Sequence, residues 1–296
     1  MDWDKLRIFH SVALSKSLTK AGETLGLSQS AVSRQISALE EKMGIPLFHR
    51  HARGLMLTEQ GEILFRTVSE MVTKLQATEI SLAESSARPK GPFKITVPST
   101  FGAMWLASQM KEYTDLYPEI QVTLICEDRE LDLTLRQADA SLRFAPAKHP
   151  DLVQIPIVGF KNSLWAHNDY LHTHGIPKSL SDLKHHKVLA FDASAGGAPP
   201  FPQVNWLFEQ AGGKELVPYF KSNSLLGMRT AVKQGMGIAA LPDYLMHRSR
   251  HISRVLPEIT GPETQAYYIY PVELKNSKRI AVFRNFLTQK VGEANF

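Results

Sequence analysis

The sequence predicts a multidomain α plus α/β chain: a small helical domain closed by a β-hairpin, a long connecting helix, and an α/β domain of about 200 residues. Three observations predict it. Short apolar-periodic segments separated by glycine fill residues 5–44. Residues 59–87 contain no proline and, after Gly61, no glycine. Beyond Pro92, strand-like and helix-like segments alternate.

A length of 296 residues with 43 % apolar composition suffices for two domains with proper cores. Lysine and arginine number 34 against 29 aspartates and glutamates, a formal charge of +5 that suits an anionic partner without demanding one. The single cysteine, Cys126, excludes an intramolecular disulfide framework and favours a reducing, cytoplasmic home. The opening Met1-Asp2-Trp3-Asp4-Lys5 lacks the basic stretch and apolar run of a secretory signal. No run approaches the length of about eighteen apolar residues that a membrane span needs.

Leu6, Phe9, Val12 and Ala13 share one face of a first helix over residues 5–15. A shorter helix over Leu18–Leu25 stops at Gly26. A third follows, capped by Ser28 and ended by Gly44. Its apolar residues Val32, Ile36, Leu39 and Met43 recur at steps of four, three and four, so they form one buried stripe. Gln29, Ser30, Ser33, Arg34 and Ser37 then point outward. That face is nearly free of acid. Glutamine and arginine read purine edges in a major groove and short serines let the helix come close, so the face suits duplex DNA; a solvated helix surface is the plainer alternative.

Next, Leu47-Phe48-His49-Arg50-His51-Ala52-Arg53-Gly54-Leu55-Met56-Leu57 reads as two short apolar pieces around a basic tip, a β-hairpin wing. Arg50 and Arg53 are placed to meet phosphate or a narrow minor groove. Along residues 59–87, Leu64, Val68, Met71, Leu75 and Leu82, with Thr78 in the missing slot, follow a coiled-coil seam. A lone helix of this length offers its stripe to a second copy, which would also pair two reader helices on a palindromic site. Arg88-Pro89-Lys90-Gly91-Pro92 breaks it as a hinge. In the remainder, strands are expected at Phe93–Val97, Ile120–Cys126, Ala140–Phe144, Lys187–Phe191 and Ala266–Tyr270, helices at Leu106–Tyr117 and Gly227–Gln234, and a surface loop at Gly196–Pro200.

The string SLTKAGETLGLSQSAVSRQISALEEKMGIPLFHR at Ser17–Arg50 resembles the signature of LysR-type transcriptional regulators. The resemblance runs through the wing ending in LTEQG, the long helix, Pro98-Ser99-Thr100 after the first α/β strand, and MRTAVKQGMGIAALP at Met228–Pro242. The opening MDWDKLRIF and the wing also resemble the LsrB/VtlR branch. The resemblance implies a winged helix-turn-helix over residues 1–58, a dimerising linker helix and hinge over 59–90, and a sensor over 91–296. The sensor would have the two-lobed type 2 periplasmic-binding-protein fold, with lobe I at about 91–161 and 266–296 and lobe II at about 162–265. It further implies a homodimer or homotetramer on an interrupted palindrome, an effector between the lobes, RNA polymerase as a partner, and no cofactor. The family's base-reading positions fall on Gln29, Ser30, Ser33 and Arg34, and its minor-groove contact on Arg53.

Helix N-termini at such a cleft attract anions, which makes an anionic effector the natural expectation. Ser99 and Thr100 are placed to hold its carboxylate, or simply to cap a helix. Asn223 and Ser224 would face them from the other lobe. Arg143, ending its strand, would pair with the effector or with Asp139 or Asp128. Phe101, Trp165 and Phe191 would wall the pocket or belong to the core. No catalytic constellation is evident: there is no G-x-S-x-G, P-loop or H-E-x-x-H, and Gly235-Met236-Gly237 reads as a tight turn. His167, His172, His174, His185 and His186 lack the pattern of a zinc site. Cys126, near a strand end, is expected to be buried and inert.

Overall fold

The side chains of Asp2, Ser17 and Ser28 each accept a hydrogen bond from a main-chain N–H two or three residues on, and so start three helices: α1 (Trp3–Ser15), α2 (Leu18–Leu25) and α3 (Gln29–Met43). The latter two end at Gly26 and Gly44, both left-handed with φ of 67° and 68°, a conformation glycine adopts without steric cost. The computed structural model describes residues 2–51, 54–83, 88–195, 199–211, 216–246 and 250–294, with the backbone alone at 50, 51, 54, 73, 74, 76–83 and 195. Arg53 and Gly196–Ala198 therefore lie outside the described residues.

Phe9, Val12, Ala21, Val32, Ile36, Leu39 and Leu47 form the core of this first unit. Strands β1 (Phe48–His51) and β2 (Gly54–Leu57) pair antiparallel as the wing, with Phe48 opposite Leu57. Helix α4 (Glu59–Ala83) follows at once. Its stripe is not wholly unpartnered, as the sequence suggests. Val68 is buried in the unit's own core, and Leu64, Phe65 and Val72 pack against it. Phe65 also stacks on His10 of α1 at 5.4 Å between ring centroids. Ile63, Met71 and Leu75 stay exposed, at 55, 42 and 48 %. One side of the helix, with Leu64, Phe65, Val68 and Val72, thus closes the winged domain, and Ile63, Met71 and Leu75 are apolar residues left exposed.

The second unit begins with β3 (Gly91–Val97), continues through a helical run of α5 (Ser99–Phe101), a π turn (Gly102–Leu106) and α6 (Ala107–Leu116), and then gives β4 (Ile120–Cys126), β5 (Ala140–Arg143) and β6 (Leu152–Phe160). The chain crosses through Lys161 into β7 (Asn162–His167), α7 (Asn168–His174), β8 (Val188–Phe191), α8 (Trp206–Gln210), β9 (Phe220–Ser222), α9 (Leu225–Lys233), β10 (Ile238–Pro242), α10 (Asp243–Met246) and β11 (Ile252–Thr260). It returns as β12 (Thr264–Pro271) and closes with α11 (Lys278–Glu293).

Two five-stranded sheets result, ordered β4-β3-β5-β12-β6 and β11-β7-β10-β8-β9. In the first, β3 runs parallel to β4 and β5 while β12 runs antiparallel to β5 and β6. An aromatic stack of Phe93, Tyr113, Tyr268 and Phe283 joins this sheet to α6 and α11. In the second, Leu164, Val188, Trp206, Leu207, Ile238 and Val255 form the core. The two crossings are tied together: Gly261 N–H donates to the Asn162 carbonyl at 2.8 Å, and the Asn162 side-chain amide donates to the Thr264 hydroxyl at 3.1 Å. A side chain at Gly261 would collide with the Trp206 indole.

Candidate nucleic-acid interface and effector cleft

On α3 the split read from the sequence is realised in side chains. Val32, Ile36 and Leu39 are buried, whereas Gln29, Ser30, Arg34 and Ser37 are exposed and Ser33 is half-buried. The Ser28 hydroxyl accepts from Ala31 N–H at 3.2 Å and lies 3.1 Å from the Ser30 hydroxyl, which fixes the first turn. Gln29 and Arg34 extend from the exposed side of this fixed turn. Such a face presents one guanidinium, one amide and short hydroxyls, the donor and acceptor types that base edges accept in a major groove. Arg50 sits on β1; its side chain and the whole of Arg53 lie outside the description.

The wing is bound to α3 by a group that the sequence reading does not single out. A Glu40 carboxylate oxygen on α3 accepts from Leu47 N–H at 2.7 Å and from Phe48 N–H at 3.1 Å. The Leu47 carbonyl in turn accepts from Thr58 N–H at 3.0 Å. The Thr58 hydroxyl donates to the Pro46 carbonyl at 2.8 Å and accepts from Gly61 N–H at 2.9 Å, starting α4. A side chain at Gly61 would strike the Leu47 carbonyl, so α4 can approach the wing only with glycine there.

In the α/β unit the predicted ligand groups are largely engaged by the chain itself. Ser99 donates its N–H to Asp128 Oδ1 at 2.9 Å and its hydroxyl to Asp128 Oδ2 at 2.6 Å. Thr100 and Phe101 are buried. Arg143 is 6 % exposed and pairs with neither Asp139 nor Asp128. Its guanidinium donates to the carbonyls of Glu127 and Arg129, at 2.9 and 3.1 Å, and to the Thr96 hydroxyl at 2.9 Å. Burial holds this guanidinium below its usual range, and the carboxylates of Glu130, Asp128 and Glu127 oppose that shift. Asp139 instead accepts from Lys94 N–H. Asn223 and Ser224 are exposed, and the Ser224 hydroxyl caps α9 by accepting from Gly227 N–H at 3.2 Å.

Between the two sheets lies a set of rings. Phe101 meets Trp105 at 4.9 Å, Phe144 at 5.6 Å and Tyr244 at 5.4 Å, and Phe160 meets Tyr244 at 5.2 Å and Phe201 at 6.0 Å. The π turn sets Phe101 and Trp105 side by side, and Gly102 inside it presses on Val97 and Cys126 where no side chain would fit. Burial, and then Asp128, push the Tyr244 hydroxyl far above the ordinary phenol range. Tyr244, Phe144 and Phe160 escape the sequence reading because each merely ends or follows a strand. Phe191 is buried in its strand, and Trp165 carries Arg254 over its ring at 5.9 Å.

Cys126 departs from expectation, since it is exposed rather than buried. The expectation rests on its strand, but β4 is the edge of its sheet and Cys126 is the last residue of that edge. Its thiol nonetheless titrates above the ordinary value, first through partial desolvation and then through the Asp128 carboxylate. Gly235, with φ of 70°, opens the tight turn between α9 and β10.

Comparison with known proteins agrees with this architecture. Residues 3–62 match the bacterial regulatory helix-turn-helix of the lysR family and residues 86–292 match the LysR substrate binding domain. The HTH-type transcriptional regulator CrgA of Neisseria meningitidis serogroup C is 28 % identical over 295 residues, covering 98 % of this chain and 97 % of that protein. The structure of CrgA from Neisseria meningitidis superposes with a TM-score of 0.60 at 25 % identity over 99 % of both chains. The full-length Vibrio cholerae virulence activator AphB shares the fold, with a TM-score of 0.60 at 23 % identity over 98 % of this chain and 99 % of that one. No described helix is long and apolar enough to cross a membrane. With a DNA-binding helix-turn-helix at one end and a ligand-binding domain filling the rest, the chain belongs to the LysR family of transcriptional regulators, which are not enzymes.

Proposed function

We propose that this regulator binds an interrupted palindromic promoter site as a dimer or tetramer, and that a small molecule held between the lobes of its C-terminal domain changes transcription. The observation that carries the DNA half is the nearly acid-free outer face of α3, on which Gln29, Ser30 and Arg34 stand exposed and Glu41 enters only near the far end. Gln29, Ser30, Ser33 and Arg34 read base edges; Arg50 and Arg53 hold the backbone or minor groove. Ile63, Met71 and Leu75 on α4 supply apolar surface for a second copy, and two reader helices related by a twofold axis then match a palindrome. The working division is 1–58 for DNA, 59–90 for the linker helix and hinge, and 91–296 for sensing, with lobes of 91–161 plus 266–296 and of 162–265. RNA polymerase is the partner through which binding alters transcription, and the cytoplasm is where both reside.

For the sensor, Ser99, Thr100, Phe101, Arg143, Asn223 and Ser224 surround the proposed effector position. The hold of Ser99 on Asp128 supports an anionic effector, because the same N–H and hydroxyl already bind a carboxylate with good geometry. An effector carboxylate takes the place of the Asp128 side chain. The test is selection of genomic fragments by the purified chain at about 150 mM salt, then footprinting with and without candidate carboxylates. A protected interrupted palindrome whose footprint changes with a carboxylate is the expected result. Binding without sequence preference that vanishes as salt rises would overturn the DNA half, and a footprint blind to every carboxylate but altered by a neutral or cationic metabolite would overturn the anionic one.

A further inference from the structure

The geometry points to Glu40 as a positioning residue for DNA recognition, the joint through which reader helix, wing and linker helix move as one body. Three elements converge on a single peptide. The Leu47 N–H, with that of Phe48, is held by the Glu40 carboxylate from α3, and the Leu47 carbonyl is held by Thr58, the residue that begins α4. Leu47 itself has no exposed surface, and its neighbour Phe48 opens the wing paired with Leu57. The Thr58 hydroxyl closes the ring by bonding Pro46 behind and Gly61 ahead.

Glu40 lies on the half-buried flank of α3, away from the exposed Gln29, Ser30 and Arg34, so it acts on DNA only through what it holds. Its carboxylate accepts two adjacent main-chain N–H groups, the stronger, charge-assisted kind of hydrogen bond, in a segment that would otherwise swing about the Gly44-Ile45-Pro46 turn. Removing it frees the wing from the reader helix without altering a base-reading side chain. Because α4 is fixed to the same peptide, a change in linker-helix direction reaches wing and reader helix undamped. This inference rests on DNA binding alone and stands apart from the effector.

The probes are the genomic fragment most tightly bound by the unaltered full-length chain and a scrambled duplex of equal length. Glu40→Ala is expected to weaken the selected fragment about tenfold or more while the scrambled duplex changes less than about threefold, and to speed amide exchange at Leu47 and Phe48 with Val32 and Ile36 still protected. Glu40→Gln keeps an oxygen that accepts both N–H groups, so its ratio of selected to scrambled binding stays within about threefold of the parent. Thr58→Val, of equal size, removes the hydroxyl that holds the Pro46 carbonyl and the Gly61 N–H, lowers the same ratio, and combines with Glu40→Ala less than additively because both loosen the adjoining residues 46–48. If Glu40→Ala fails to fold, Thr58→Val and Glu40→Gln are read on the same ratio and decide the matter. A folded Glu40→Ala chain with an unchanged ratio, a Glu40→Gln chain as impaired as the alanine, or an unchanged ratio in Thr58→Val overturns the proposal.

Discussion

The reader helix and the sensor cleft use similar residues in opposite ways. On α3, Gln29 and Arg34 project from a helix whose buried side is fully apolar, so their polar ends are left for something outside the chain. At the cleft, Ser99, Arg143 and Ser224 are just as polar, yet the first holds a carboxylate, the second main-chain carbonyls, and the third caps a helix. Polar residues on an exposed helical face are offered to a partner; polar residues at strand ends are first claimed by the fold, because buried main-chain groups must be satisfied. A sensor is therefore the harder half to read. A ligand at the proposed position would compete with contacts that already exist.

The largest test of that contrast lies in the ring cluster. Phe101→Ala removes a buried ring that meets Trp105, Phe144 and Tyr244 and is expected to lower sensor stability by about 3–5 kcal/mol, read from denaturant unfolding of the full chain. Sequence-specific DNA binding in the absence of denaturant should persist; its loss would show that the cluster also governs the reader helix. On the other side, Arg34→Ala should forfeit about 1–3 kcal/mol of discrimination between the selected fragment and scrambled DNA, measured by paired titrations, with an unchanged unfolding curve. Unaltered discrimination would mean that another face of α3 meets the bases.

Asp128→Asn sharpens the contrast at smaller scale. It weakens the hold on Ser99 and should cost about 1–2 kcal/mol of sensor stability by denaturant melt. It also removes the charge that raises the Cys126 thiol, so alkylation of Cys126 near neutral pH should run faster than in the parent. No acceleration would leave desolvation as the whole cause.

The smallest effect concerns pH. His10, stacked on Phe65, has its pKa lowered by burial, so the native state binds a proton less readily than the unfolded chain does. Stability from the neutral ring is present above the ordinary histidine value of about 6.5 and is lost as pH falls below it toward the lowered one. His10→Phe should flatten that acid-side slope in melts of the winged unit, and an unchanged slope would assign it to another group.

Legibility in the sequence followed the same division. The three helices and the wing were readable because each carries its own punctuation, with Ser17 and Ser28 starting and Gly26 and Gly44 stopping them. In the sensor, the strand expected at Ile120–Cys126 matches residue for residue, and that expected at Ala266–Tyr270 lies inside the longer β12. Strands β6, β7, β9, β10 and β11 and the long helix α11 are not legible in the sequence. Their residues answer to a distant partner rather than to a local period: β7 is buried at five of six positions and shows no alternation, and β6 is half-covered along most of its length. Asp128 and Glu40 were invisible as partners for the same reason, being linked to Ser99 and Leu47 by folding and not by spacing. On α4, heptad spacing alone does not distinguish residues that close their own domain, such as Val68, from those that stay exposed, such as Met71 and Leu75.

The return of β12 carries a consequence for synthesis on the ribosome. The three helices, the wing and the helix that closes their core all lie within the first 83 residues. The first sheet, by contrast, lacks the strand that joins β5 to β6 until Pro271 has been made, and α11 comes later still. During translation the DNA-binding end is therefore finished long before the domain meant to control it. Premature termination between about residue 90 and residue 264 would release a chain able to occupy DNA with nothing to answer a signal, which makes complete synthesis itself a condition for regulation.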